Sequence, residues 1–200
     1  MNKAQHKDYD GAKLGMWLFL FTELLLFGGL FLLYGVYLAR YPHEFAAAGH
    51  EMHRWFGAVN TVVLITSSLL AAMAVTAVRR DESKTAVWLL MGAVLCAAIF
   101  LVNKYLEWSG EIGRGIYPNS PLLADAPQGT SLFFSLYYLT VGLHGLHVLI
   151  GGVLLSVMAG RIRRGTITAG NFIWLENSTL FWHLVDLIWI FIFPLYYLVL

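Results

Sequence analysis

The chain has 200 residues, of which 58% are hydrophobic and only 12% charged, with a formal net charge of +1. A soluble domain carries about 25% charged residues, so an ordinary water-facing surface is excluded, and the near-neutral balance offers nothing to a nucleic acid. The apolar residues fall in runs of about 20, the length that crosses a hydrocarbon core, so the expected fold class is an all-α integral membrane bundle of five transmembrane helices, one transmembrane domain over residues 1–200.

Helix I is expected over about 14–39, between Lys13 and Arg40, with Glu23 as its only charge. The lysines ahead of it superficially resemble a secretory signal. The apolar run is about 26 residues long, contains Glu23 and lacks a clear small-residue cleavage site, so it reads as a helix. Helix II is expected over about 56–78, between Arg54 and the Arg79–Arg80 pair. Helix III runs from about 85 to 106 and fades where Asn103, Lys104 and Glu107 arrive. The loop from Glu107 to Thr130 holds Gly110, Gly113, Gly115, Pro118, Pro121 and Pro127, which break helices. Helix IV spans about 131–160 and stops at Arg161, Arg163 and Arg164; helix V spans about 173–200. The single cysteine, Cys96, lies inside an apolar run and has no internal partner for a disulfide.

Lysine and arginine placement sets the expected orientation. The N-terminus (Lys3, Lys7, Lys13), the II–III loop (Arg79, Arg80, Lys84) and the IV–V loop (Arg161, Arg163, Arg164) share one side. The other side holds Arg40, Arg54, Lys104 and Arg114. Nine against four puts the N-terminus in the cytoplasm and the C-terminus in the periplasm.

Few ionisable residues fall inside the spans. Glu23 lies ten residues into helix I, about 15 Å deep, where a charge costs on the order of 3 kcal/mol. It is expected to face protein as a mainly neutral acid, either proton-linked or fixing helix packing. His144 and His147 lie one turn apart and share a stripe with Gly151; Gly142, Gly145, Leu149 and Gly152 form a neighbouring stripe that reads as a close-contact face. His183 and Asp186 repeat the one-turn spacing on helix V. These five residues read as a polar packing core or a proton relay. A di-metal cluster is the sharper alternative, but the Glu-x-x-His pattern of di-iron bundles is absent. Lys104 and Glu107 read as a surface pair worth a few tenths of a kcal/mol. Trp88, Trp108, Trp174 and Tyr117 read as interfacial anchors. The arginines at 161, 163 and 164 suit topology and anionic headgroups alike. No phosphate loop, CxxC pair or Ser/His/Asp array is present, so no catalytic residue and no metal ligand is assigned.

Four segments together resemble the subunit III family of the haem–copper oxidases. Phe181-Trp182-His183-Leu184-Val185-Asp186-Leu187-Ile188-Trp189-Ile190-Phe191 is similar to the family's (Y/F)WHFVDxxWxF. His144 to Gly151 resembles HGLHVxxG, and Trp17 to Glu23 with Phe27 resembles LFxxSExxxF, with Thr22 for the usual serine. Asn60-Thr61 resembles the family's Asn-Thr at the start of helix II. The resemblance implies a non-catalytic subunit with no haem or copper of its own. It would pack on subunit I, which carries those centres, beside subunit II, and support proton uptake in a bacterial inner membrane. It further implies that Glu23 is the family's intramembrane glutamate, and that Arg161 and His147 lie where structural phospholipid is held. The seven-helix members have two extra N-terminal helices that wall a lipid cleft, and these have no counterpart here. Position 104 is commonly uncharged in better-known members. Two readings stand beside this one: an accessory subunit of a nitric oxide reductase, and an independent metal enzyme using His144, His147, His183 and Glu23. A proton-coupled transporter is a further rival, although helix II has no ionisable residue in its span and helix III none before Lys104.

Overall fold

A computed structural model describes residues 9–198. In chain order the helices are α1 (Tyr9–Arg40), α2 (Pro42–Glu51), α3 (Arg54–Arg79), α4 (Ser83–Gly113), α5 (Pro121–Ala124), α6 (Gln128–Arg163) and α7 (Ile173–Tyr197). Among the described residues the only β pairing is an isolated bridge between Thr168 and Asn171. Five helices, α1, α3, α4, α6 and α7, are long and apolar enough to cross a membrane. The chain is thus an all-α membrane bundle of five spans. Lys3, Lys7 and the last two residues of helix V lie outside the described residues.

The observed bounds differ from the expected ones in informative places. α1 is already helical at Tyr9, the first described residue and ahead of the expected start, and α4 continues to Gly113, well past the polar residues that suggested an end near 106. The 36 residues of α6 make a rod of about 54 Å, longer than a hydrocarbon core of about 30 Å, so its ends stand beyond the apolar zone. Its last turn closes when Gly165 takes φ +70 and two N–H groups turn back: Thr166 to Arg161 O at 3.1 Å and Gly165 to Ile162 O at 3.0 Å. The I–II connection holds α2. Pro42 starts that helix, and Phe45, Ala48 and Gly49 turn one face inward.

α3, α4, α6 and α7 pack into a compact group, with α3 against α4 and α7, and α6 against α4 and α7. α1 leans on α6 and α7 and meets neither α3 nor α4 among the described residues. Small residues allow the close approach: Ala71 and Ala74 of α3 and Ala93 of α4 are fully buried, and Ser67 Oγ donates to Ala93 O at 3.0 Å. Trp182 and Trp189 of α7 are wholly enclosed. Gly151 is what admits Trp182, since a Cβ there would sit 2.5 Å from Trp182 Cε3.

The expected close-contact stripe on α6 divides. A Cβ at Gly142 would lie 3.3 Å from Trp108 and one at Gly152 3.6 Å from Ala97, both on α4, whereas a Cβ at Gly145 would meet nothing within 4 Å and Leu149 is exposed. His144, His147, Val148 and Gly151 carry the buried inward face. Packing of α6 against both α4 and α7 sets which residues face in, and spacing within α6 alone does not report it.

Candidate functional site

The five intramembrane residues do not converge. They divide among three separate settings, and a fourth polar cluster lies elsewhere in the bundle.

Glu23 and His147 form a pair across α1 and α6, with Glu23 Oε2 2.9 Å from His147 Nε2. His147 Nδ1 lies 2.7 Å from Leu143 O, and a carbonyl only accepts, so Nδ1 carries a proton. Nε2 and Glu23 Oε2 then share one proton, either as neutral acid and imidazole or as carboxylate and imidazolium. Either form leaves the pair without net charge. Phe27 stands edge-on to the imidazole, with centroids 5.3 Å apart.

His144, one turn earlier, is fully buried and neither nitrogen has a partner among the described residues. It packs as an aromatic ring against Phe100 at 5.5 Å and Trp189 at 5.3 Å. His183 and Asp186 do not pair with one another. His183 Nδ1 lies 2.6 Å from Ser68 Oγ on α3, and Asp186 is buried close to the same hydroxyl. Nor does any group of three or more His, Cys, Asp or Glu side chains come together to hold a metal ion among the described residues.

Lys104 and Glu107 require a correction. The expected surface pair is buried, with side chains 8% and 0% exposed. Lys104 Nζ donates to Glu107 Oε2 at 2.8 Å and also to Tyr197 OH. Glu107 Oε1 accepts from Tyr137 OH at 2.9 Å and from Tyr197 OH at 2.6 Å. Trp108 Nε1 donates to Tyr137 OH at 3.2 Å, so the indole N–H of this half-buried residue points into the cluster. The ammonium also lies 5.0 Å from the Trp189 ring centre and 4.8 Å from that of Tyr197. The pair is internal because α4 runs on to Gly113 while α6 and α7 bring tyrosines over it. Two ions, two phenols and an indole satisfy one another across three helices. A lysine and a glutamate in an otherwise apolar helix were the available signal, since such residues face the bundle interior by default.

The remaining residues sit near the helix ends. Trp88 and Trp174 are strongly exposed, and Tyr117 is exposed to a lesser degree. Arg161 lies 5.8 Å from the Trp174 ring centre and, with Arg164, borders a cleft of about 720 Å³ between α4 and α6. The cleft is otherwise apolar, with Val94, Ala98, Leu101 and Val153 among its walls. His147, expected to share a lipid role with Arg161, does not line it; both its nitrogens are engaged with α1 and with its own helix. At the same end of the bundle Glu176 joins Lys13, at 3.4 Å, to Arg79, tying α1, α7 and α3. This chemistry binds, orients and seals.

The chain matches the family model described as cytochrome c oxidase subunit III over residues 3–199. Cytochrome c oxidase subunit 3 of Thermostichus vulcanus is 32% identical over 196 residues, covering 96% of this chain and 90% of that protein. Cytochrome bo(3) ubiquinol oxidase subunit 3 of Pseudomonas putida is 31% identical, covering 96% and 88%. A protein of Aeropyrum pernix named heme-copper oxidase subunit I+III is 27% identical; the match covers 95% of this chain and 23% of that longer one.

Proposed function

The chain belongs to the cytochrome c oxidase subunit III family, and from that premise we propose how it serves the complex. It is a non-catalytic, multi-pass membrane subunit of a respiratory terminal oxidase. The matched relatives are oxidase subunits, which leaves the nitric oxide reductase and stand-alone metal enzyme readings without support. Relatives from cytochrome c and ubiquinol oxidases are similar to this chain to the same degree, 32% and 31%. The shared residues therefore report a common scaffold and not the electron donor.

The subunit stabilises subunit I, which carries haem and copper, and stands with subunits I and II in a bacterial inner membrane. The fused I+III relative supports this pairing, since one chain there carries both parts. Basic residues at Lys13, Arg79, Arg80, Lys84, Arg161, Arg163 and Arg164 support a cytoplasmic N-terminus and a periplasmic C-terminus. A phospholipid lies in the α4–α6 cleft, its headgroup at Arg161 and Arg164. Glu23 and His147, sharing one proton, support proton uptake at the joint between α1 and the core.

The observation that carries this reading is the use made of intramembrane polar groups. Glu23 with His147, and Lys104 and Glu107 through Tyr137 and Tyr197, are spent on cross-helix bonds, which is what a scaffold needs. Gentle extraction through an affinity tag on this chain tests it. A haem- and copper-bearing subunit is expected with it in equal amount. A chain that emerges alone, loaded with its own metal and active, would overturn the proposal.

A further inference from the structure

α7 is the most enclosed of the five spans, yet one stripe of it remains uncovered. Glu176, Leu180, His183, Leu187, Ile190 and Pro194 follow one another at intervals of four, three, four, three and four residues, and none of them is buried. The stripe runs from Glu176 to Pro194, a rise of about 27 Å, nearly the full thickness of a hydrocarbon core. It forms the floor of a groove, because α1 and α3 both pack beside α7 without meeting each other. Trp17 of α1 and Ala72 and Val75 of α3 wall its upper part, a cleft of about 370 Å³. The Lys13–Glu176–Arg79 ionic cluster stands at its mouth.

His183 makes this groove more than an apolar face. Its Nδ1 is engaged by Ser68 Oγ at 2.6 Å, and its Nε2 has no partner among the described residues. In either tautomer Nε2 presents an N–H or a lone pair, and the half-buried ring borders the cleft. It lies seven residues below Glu176, about 10 Å, deeper than the headgroup and ester zone. A hydrogen-bonding atom at that depth goes unsatisfied against acyl chains, which carry only hydrocarbon there. A three-four spacing sustained along a helix is the seam against which a second helix seats.

We propose that the α1–α3 groove seats a transmembrane helix of the redox partner subunit, and that a polar side chain of that helix bonds His183 Nε2. The proposal rests on the accessory-subunit reading and names the surface that reading leaves open. The seated helix covers the α7 stripe, and the ionic cluster caps its cytoplasmic end.

The test uses the intact complex in native membranes. A photoreactive amino acid replaces Leu187 on the groove floor or, separately, Val153 on the wall of the α4–α6 cleft; both are exposed in the chain. The Leu187 probe is expected to join a polypeptide of the haem-bearing subunit, and the Val153 probe lipid alone. In parallel, His183→Leu should shorten retention of the partner under detergent challenge about tenfold, and His183→Gln, which restores a hydrogen-bonding group, should recover most of it. Labelling of phospholipid or a quinone alone from Leu187 would overturn the proposal, as would undiminished retention in His183→Leu. A complex that stays together while the partner crosslinks only from Val153 would sink the groove and spare the accessory-subunit reading. Failure to find any haem-bearing partner would remove both.

Discussion

Two ion pairs lie inside the apolar part of this bundle, and their surroundings are opposite in kind. Lys104 and Glu107 are enclosed where α4, α6 and α7 meet, and phenols, an indole and aromatic faces occupy the space around both charges. Glu23 and His147 join the peripheral α1 to the core through one shared proton, with side chains 13% and 11% exposed. In the first setting further donors and aromatic faces surround both groups. In the second the two side chains have, among the described residues, only one another and the Leu143 carbonyl as hydrogen-bonding partners. One bundle thus uses two ways of placing ionisable groups in oil, which differ in the number of neighbouring donors and acceptors.

The sharpest way to break that contrast is to strand one charge. Lys104→Met leaves Glu107 buried with only phenolic donors. Removing one partner of a buried pair costs about 3–5 kcal/mol, so thermal unfolding of the detergent-solubilised chain should fall steeply. Lys104→Met combined with Glu107→Gln removes both charges and should recover most of the loss. If the single change costs less than about 1 kcal/mol, as exposed pairs do, then the cluster is open to water and the contrast is void.

At the peripheral pair the effects should be smaller and local. His147→Phe takes away Glu23's only partner among the described residues and should cost about 1–3 kcal/mol, the penalty for an unsatisfied polar group. Because among the described residues α1 touches the core only through α6, α7 and α2, the loss should appear as loosening of α1, read as faster proteolysis or labelling in that helix before global unfolding. Glu23→Gln should cost less, under about 1 kcal/mol, because an amide N–H still donates to Nε2. A Gln variant that fails to fold would mean that the pair needs a real charge, and the two sites would then be alike.

The five spans were legible because span length and hydrophobicity are properties of one segment at a time. The identity of the polar residues was legible for the same reason: Glu23, His147 and His183 stand out in apolar helices. Their partners were not. Glu23 and His147 lie 124 positions apart, and Ser68 and His183 lie 115 apart, so no periodicity within a helix connects them. Lys104 and Glu107 were misread because polar residues arriving together look the same at a helix end and at a buried cluster; only Tyr137 and Tyr197, from other helices, decide which it is. The short α2 escaped because its inward face is just Phe45, Ala48 and Gly49, too few for a periodic signal.

The smallest expected effect is the most direct test of how facing surfaces are chosen. Gly145 and Gly151 belong to the same helix and differ by six residues, about 600° of rotation or 240° net. That rotation turns Gly151 toward Trp182, where a Cβ would stand 2.5 Å away, and leaves Gly145 with nothing within 4 Å. A Cβ at 145 thus meets open space, and a leucine there begins without a clash. Helix propensity favours leucine over glycine by somewhat under 1 kcal/mol, so Gly145→Leu should leave thermal stability unchanged or slightly raised in the isolated chain. If the isolated chain keeps its stability while the assembled complex loses the subunit, Gly145 faces a partner. If the isolated chain itself is destabilised by more than about 1 kcal/mol, outside the usual range of surface substitutions, then α6 is rotated from the position described and the His147 pairing goes with it.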